Sequence, residues 1–292
     1  MFEGFHETRI AAGDAEIFAL TGGAGPPLLL LHGFPQNHVM WHLVAPRLAA
    51  RFSVVIPDLR GYGDSRGPAP DSLHRNYSKR TMAADMIAVM AALGHDRFLA
   101  AGHDRGGRVG YRLALDHPEH IVRLAVLDIL PTSDVWDRME WNAAMNSYHW
   151  LLLAQPAPLP EHLIGLDPDF YLRHLLNRWA GRADALEPDA VAEYARHFRN
   201  PSVIEAVCED YRAGATVDAD ADRADRASGR KIECPLLVLW GRQYLSAKAA
   251  ATSPLEVWQR WADEVRDVAL DCGQERLGPS PSLAQTLSQL RP

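Results

Sequence analysis

The clearest candidate for chemistry in this sequence is Asp104, which lies in the run GHDRGGR at positions 102–108. The run follows the apolar residues FLAA at 98–101 and opens a helical pattern, so it connects a strand to a helix. Glycines on both sides let the backbone turn sharply and lift one side chain out. An aspartate is ionised at neutral pH, so Asp104 can attack a carbon, expel a leaving group and form an ester. A glycine-rich turn that only binds phosphate or closes the connection is the alternative.

Two arginines beside Asp104 indicate an anionic substrate. Arg105 and Arg108 add two cations to the same turn, and guanidinium groups suit a bidentate grip on a small carboxylate. The chain of 292 residues carries a formal net charge of −7, which argues against nucleic acid or an anionic membrane as the main partner. A small anionic substrate therefore needs a local basic site of this kind.

Short apolar runs that alternate with helical patterns predict the scaffold around this turn. Runs at 27–31, 53–56, 98–101, 124–127 and 235–240 are typical of buried strands in a parallel sheet. Helical periodicity appears at 41–50, 80–93 and 254–265, before a short strand at 268–270 and a helix at 282–290. Residues 1–26 predict an antiparallel hairpin edge. The alternation predicts an α/β fold with a doubly wound, mostly parallel sheet and a site at the carboxyl ends of its strands.

Cysteine usage and composition give expectations about cofactors and location. Cys208, Cys234 and Cys272 are widely spaced, so the sequence predicts neither a disulfide framework nor a zinc site. It shows no nucleotide-binding loop and no cluster of metal ligands, so we expect no cofactor and no metal. The N-terminus lacks a signal-peptide pattern, and no apolar run reaches the length of a membrane span. We expect a cytoplasmic protein without a membrane partner.

Several motifs make the sequence similar to the fluoroacetate (haloacetate) dehalogenases of the α/β-hydrolase superfamily. They are HGFPQ at 32–36, GHDRGGR at 102–108, DILPT at 128–132, YHW at 148–150, QPAPLPE at 155–161, DPDFY at 167–171 and CEDYRAG at 208–214. The first three also resemble epoxide hydrolases and haloalkane dehalogenases, whereas the others are more specific. The resemblance implies an α/β-hydrolase fold with a core over 1–132 and 226–292, a helical cap inserted at 133–225, and a homodimer.

The resemblance assigns the displacement step to the strand-to-helix turn. It implies that Asp104 is the nucleophile and that Arg105 and Arg108 bind the substrate carboxylate. The backbone amides of Phe34 and Arg105 are implied to form the oxyanion hole. Asp128 follows the strand at 124–127 and occupies one known place for the acidic member of a catalytic triad, with a capping role as the alternative.

Three residues of the helical region are implied to be halide ligands. His149, Trp150 and Tyr211 would donate an imidazole N–H, an indole N–H and a phenol O–H to the departing halide. Fluoride is strongly hydrated, so a dry pocket must replace its water shell with such donors. His149 and Trp150 are adjacent, and adjacent helical residues share no face, so we expect both to serve only where a helix starts or bends.

The sequence departs from the family pattern where a catalytic histidine is expected. After the last predicted strand the family's Gly-His is here Gly273-Gln274, and no histidine follows His197. An amide has no useful basicity near neutral pH and cannot activate water as imidazole does. Displacement of halide by Asp104 does not need the histidine, whereas hydrolysis of the aspartyl ester does. We therefore expect ester formation to be intact and ester hydrolysis to be impaired.

Two other functions fit parts of the same sequence. An epoxide hydrolase also uses an aspartate nucleophile, and Tyr148, Tyr194 and Tyr211 are candidates for its epoxide-activating phenols. A neutral epoxide has no use for the two cations Arg105 and Arg108, which therefore favour the dehalogenase. A non-catalytic binding protein on a hydrolase scaffold would explain Gln274, but not the retained nucleophile and halide donors.

Overall fold

The computed structural model describes residues 1–180, 186–241, 253–270, 281–288 and 290, and an eight-stranded sheet lies at its centre. The strands are β1 His6–Ala12, β2 Ala15–Gly22, β3 Pro27–Leu31, β4 Ser53–Pro57, β5 Phe98–His103, β6 Ile121–Leu127, β7 Leu236–Gly241 and β8 Val265–Leu270. Their order across the sheet is β1-β2-β4-β3-β5-β6-β7-β8. The β1–β2 and β2–β4 pairs are antiparallel, and every pair from β4 to β8 is parallel. The predicted hairpin edge and mostly parallel sheet are both confirmed.

The middle strands explain where a site can form. Residues 28–31 of β3 have no exposed surface, because the leucines on both faces of this strand are covered. β3 and β5 run parallel in a register that pairs Leu31 with Gly102. The loop after β3 and the turn after β5 therefore leave the sheet side by side at its carboxyl edge, which is where open parallel sheets bind ligands.

Helices cover the sheet and fill the connection between β6 and β7. They are α1 Ala45–Leu48, α2 Lys79–Ala92, α3 Asp104–Asp116, α4 Thr132–Trp136, α5 Trp141–Asn146, α6 Tyr148–Leu153, α7 Leu159–Leu166, α8 Pro168–Ala180, α9 Pro188–Phe198, α10 Pro201–Ala215, α11 Val217–Ser228, α12 Pro254–Trp258 and α13 Pro281–Leu287. α3 packs on β5, β6 and α2, so the helix that begins at Asp104 is anchored on the sheet.

Two predicted helices are shorter than their sequence patterns suggest. The pattern at 41–50 divides into a 3₁₀ turn, His38–Trp41, and α1, which starts afresh with a proline in its first turn. The pattern at 254–265 gives only α12, because the chain beyond it pairs with the residues before β7. The Ile232 amide donates a hydrogen bond to the Trp261 carbonyl at 2.8 Å. A tertiary backbone contact thus ends a helix that local periodicity would continue.

The described residues between β6 and β7 form α4 to α11 and contain no strand. Their buried side chains join the same apolar cluster as the sheet, including Leu153, Leu172, Leu176 and Val207. None of the helices in the described part of the chain is both long and apolar enough to cross a membrane.

Candidate active site

Asp104 lies at the tip of a sharp turn between β5 and α3. Its φ is +45°, a left-handed conformation that a residue with a Cβ seldom adopts. Packing around the turn requires its glycines: a Cβ on Gly102 would lie 2.4 Å from the Gly106 carbonyl oxygen, and one on Gly106 would lie 2.4 Å from that of His32. The neighbouring glycines therefore allow α3 to begin against the loop after β3, with the Asp104 side chain raised from the sheet.

The carboxylate of Asp104 is held ready to act as an anion. The Phe34 amide donates a hydrogen bond to Asp104 Oδ1 at 3.2 Å. Burial opposes ionisation, but the charge of Arg108, followed by His103, Arg105 and the Phe34 amide, lowers the pKa of Asp104 below its usual value. The Arg105 amide lies in the first turn of α3, where backbone N–H groups have no partner within the helix. Both predicted oxyanion amides therefore lie on the turn and loop that hold the carboxylate.

Arg108 places a buried cation beside Asp104. Its Nη1 donates to the Leu130 carbonyl at 2.9 Å and to Thr132 Oγ1 at 3.1 Å. Its guanidinium carbon lies 4.5 Å from the Trp150 ring centre. Nε has no hydrogen-bond partner, and no carboxylate forms a salt bridge with Arg108, among the residues that the structure describes. A guanidinium stays charged in proteins, so Arg108 offers a charge and free N–H groups to an anion.

Arg105 has a different environment, because it is already paired. Its Nε donates to Asp210 Oδ2 at 2.9 Å and its Nη2 to the Asp210 carbonyl at 2.7 Å, with both side chains fully buried. Only Nη1 has no hydrogen-bond partner within the described chain. Arg105 thus keeps only one nitrogen without a partner and does not line the cavity beside Asp104, whereas the sequence suggested that both arginines were equivalent.

Asp210 is the site residue that sequence reasoning missed. Besides Arg105 it binds Lys79 Nζ and accepts a hydrogen bond from the Tyr62 hydroxyl at 2.7 Å. The motif CEDYRAG pointed to its neighbour Tyr211, but nothing in the sequence indicated that Asp210 contacts the turn at Asp104. This buried group ties α10 to the start of α3.

The three predicted halide ligands come together. The ring centres of His149 and Trp150 lie 5.9 Å and 6.0 Å from that of Tyr211. α6 begins at Tyr148, so His149 and Trp150 occupy its first turn, as their adjacency required. The Phe34 ring lies 5.3 Å from Tyr211. Burial, followed by the charge of Asp104, raises the pKa of Tyr211 well above its usual value, so its hydroxyl keeps the proton that it can donate.

Asp128 lies at the carboxyl end of β6, next to the turn that holds Asp104. Its φ is +54°, and its Oδ1 accepts a hydrogen bond from the Gly241 amide at 2.7 Å. Asp128 and Asp104 line the same cavity. This placement is compatible with the predicted triad role. Gln274 and Cys272 lie outside the described residues.

A small cavity lies beside Asp104, and of the predicted site residues it is lined by Asp104, Arg108, Asp128 and Trp150, but not by Arg105, His149 or Tyr211. Its volume is about 50 Å³, a few times the roughly 10–15 Å³ that one water molecule needs. Buried Asp104, Arg108, Asp128 and Trp150 line its inner part. The outer part is lined by half-buried residues, including Val135, Arg138, Met139 and Ala143. The space suits a ligand of a few heavy atoms.

Comparison with known proteins places the chain in a family. Residues 26–273 match the family described as alpha/beta hydrolase fold. A Burkholderia sp protein named fluoroacetate dehalogenase is 49% identical over 244 residues, which cover 82% of this chain and 79% of that protein. The chain belongs to the haloacetate dehalogenase family of α/β-hydrolases. The predicted family and the α/β-hydrolase fold are confirmed.

Other relatives share the fold of the haloacetate dehalogenases but bear other names. A soluble epoxide hydrolase from Corynebacterium sp. (strain C12) is 32% identical over 258 residues, covering 87% of this chain and 85% of the relative. A solved structure from Nostoc sp PCC 7120, described only as a candidate alpha/beta hydrolase, superposes with a TM-score of 0.95 at 46% identity over 99% of both chains. The family assignment makes the protein a hydrolase and leaves its substrate to be argued from the site.

Proposed function

We propose that this hydrolase acts on 2-haloacetates, with Asp104 as the nucleophile. The observation that carries the proposal is that Asp104 and Arg108 line the same cavity of about 50 Å³. Arg108 is a buried cation that forms no salt bridge among the described residues, and its charge lowers the pKa of Asp104. A haloacetate has one carboxylate for the cation and one carbon for the nucleophile. The Burkholderia relative is named for this activity, which supports the same substrate class.

The first step is displacement at carbon. One Asp104 oxygen attacks the CH₂ carbon and forms an ester bond while the carbon–halogen bond breaks and the halide leaves with the bonding electrons. Arg108 and the free Nη1 of Arg105 hold the substrate carboxylate. The N–H groups of His149 and Trp150 and the O–H of Tyr211 receive the halide as its charge develops. Such prepositioned donors are most effective in a site that excludes water.

The second step is hydrolysis of the aspartyl ester to glycolate and free Asp104. Water must be activated for this step, and the sequence carries Gln274 where the family pattern has a histidine. Asp128 remains the proposed acidic partner of such a base. Loss of a catalytic base of this kind costs on the order of 10⁴ to 10⁶ in turnover. We therefore propose that the ester accumulates.

Intact-protein mass spectrometry with fluoroacetate tests both steps. Ester formation adds the mass of the carboxymethyl group, with release of about one equivalent of fluoride per protein. The Asp104→Asn variant is the control, because a neutral amide is a poor nucleophile, and it should show neither signal. Continuous fluoride release without an adduct would contradict the proposed stall, and absence of both adduct and fluoride would contradict the dehalogenase itself.

An epoxide hydrolase is the second candidate, because the Corynebacterium relative bears that name and Tyr211 lies in the site. In that function a phenol O–H would protonate the opening epoxide oxygen, and Arg108 would have no anion to bind. Incubation with a small neutral epoxide separates the two functions. An adduct from the epoxide but none from fluoroacetate would favour epoxide hydrolysis. A third possibility, a binding protein, predicts reversible fluoroacetate binding without a change in mass.

Assembly and domain boundaries also remain proposals. We propose that 133–225 forms the cap over the core and that two chains associate as a homodimer. Large apolar side chains are exposed on α5, α7 and α8, including Trp141, Leu166 and Phe170. Sedimentation or light scattering in solution measures the assembly directly.

A further inference from the structure

We propose that Arg138, Arg226 and Arg260 form an outer anion site that receives the substrate carboxylate before it reaches Arg108. This inference rests on the proposed haloacetate function and describes how the substrate reaches the cavity. Of the outer anion site, half-buried Arg138 lines the Asp104 cavity together with Asp134, and Arg226 and Arg260 adjoin the cavity through their contacts with Asp134.

The three arginines gather around one carboxylate. Arg138 Nη2, Arg226 Nη1 and Arg260 Nη2 lie 3.7, 3.7 and 3.5 Å from oxygens of Asp134. Asp134 is nearly buried, and its Oδ2 accepts a hydrogen bond from Trp261 Nε1 at 2.8 Å. Three positive charges therefore face one negative charge, at distances longer than direct hydrogen bonds.

The arginines of the outer anion site are more exposed to solvent than Arg108 is. The side chains of Arg138, Arg226 and Arg260 are 32%, 34% and 43% exposed, compared with 9% for Asp134. Arg108, at the inner part of the same cavity, is 3% exposed. An anion that approaches from solvent thus meets partly hydrated guanidinium groups first and a buried one second.

The outer anion site offers positive charge on a chain whose net charge is negative. The whole chain has a net charge of −7, which on average repels a carboxylate. A local excess of positive charge near a cavity, here three arginines around one carboxylate, focuses the field and raises the local concentration of an anionic ligand. Arg223, which precedes Arg226 on α11, lacks this effect because Asp137 and Asp220 neutralise it at 2.9 and 3.3 Å.

The test is the second-order rate constant for ester formation with fluoroacetate at subsaturating concentration. Arg138→Gln should lower it roughly tenfold at low salt, the lower part of the range for electrostatic steering. The loss should disappear between about 10 mM and about 1 M salt, because the Debye length falls from about 30 Å to about 3 Å. The rate at saturation should not change, since Arg138 does not touch Asp104. Arg223→Gln is the matched control and should behave as the unaltered protein.

The outcomes separate this inference from the proposed function. Ester formation that is equally fast in Arg138→Gln, or equally reduced at both salt concentrations, would overturn the outer anion site while leaving the dehalogenase intact. If the unaltered protein forms no ester, acetate binding followed by tryptophan fluorescence replaces the assay, because Trp150 lies beside Arg108. Acetate affinity should then fall in Arg138→Gln at low salt only, and unchanged affinity would contradict the proposal.

Discussion

Replacement of Asp210 by asparagine is the sharpest test of how the turn at Asp104 is held. The Asp210 carboxylate is fully buried and binds Arg105 and Lys79, which are also buried. An asparagine at this position could still accept the hydrogen bond from Tyr62, but it could not neutralise either cation. Removing one partner of a buried ion pair costs about 3 to 5 kcal/mol, because a charge remains without compensation. The melting temperature should fall on the order of 10 °C, since about 1 kcal/mol corresponds to about 2–4 °C in large domains.

Urea and thermal unfolding of Asp210→Asn measure this loss, with Asp263→Asn as the control. Asp263 pairs with Lys231 on the surface, at side-chain exposures of 83% and 40%, so its replacement should cost less than about 1 kcal/mol. A further comparison in a Lys79→Met background should show a smaller effect of Asp210→Asn, because one of the two buried cations is gone. Equal stability losses in Asp210→Asn and Asp263→Asn would refute the buried ion pair as an anchor.

Three further perturbations test the site itself. The pKa of Asp104 lies below its usual value, so its carboxylate stays charged at any pH well above that value. The rate of ester formation should therefore stay constant from about pH 8 to about pH 5. A decline of this rate with an apparent pKa near neutrality would contradict the prediction. Tyr211→Phe removes one halide donor and should slow ester formation on the order of 100-fold without weakening acetate binding, whereas an unchanged rate would exclude Tyr211 as a halide ligand. Gly106→Ala places a Cβ 2.4 Å from the His32 carbonyl and should reduce both stability and ester formation; Gly165→Ala, which meets nothing within 4 Å, should do neither.

The sheet was predictable because its signals are local. Continuous apolar runs mark β3, β4, β5, β6 and β7, since strands buried on both faces have no polar side to alternate with. The end of α12 was not predictable, because the backbone contact between Ile232 and Trp261 joins segments that only the fold brings together.

Some features of the site could also be predicted from local sequence, and others could not. The turn residues around Asp104 carry a compact pattern of glycines and charges, so the sharp turn between β5 and α3 could be predicted from seven consecutive positions, 102–108. The difference between Arg105 and Arg108 could not, because it depends on Asp210, which is 105 positions beyond Arg105. Residue type alone gives both arginines the same role, and only the distant carboxylate distinguishes the paired cation from the available one.

The bond between Arg105 and Asp210 also bears on how such enzymes can be recombined. Arg105 belongs to the first turn of α3 and Asp210 to α10, so the two halves of the ion pair lie on opposite sides of β6 along the chain. A chimera that takes the helices between β6 and β7 from a relative lacking an acidic residue at this position would leave the buried Arg105 guanidinium, next to Asp104, without a counter-ion. The helices between β6 and β7 and the turn at Asp104 must therefore be inherited, or exchanged, together.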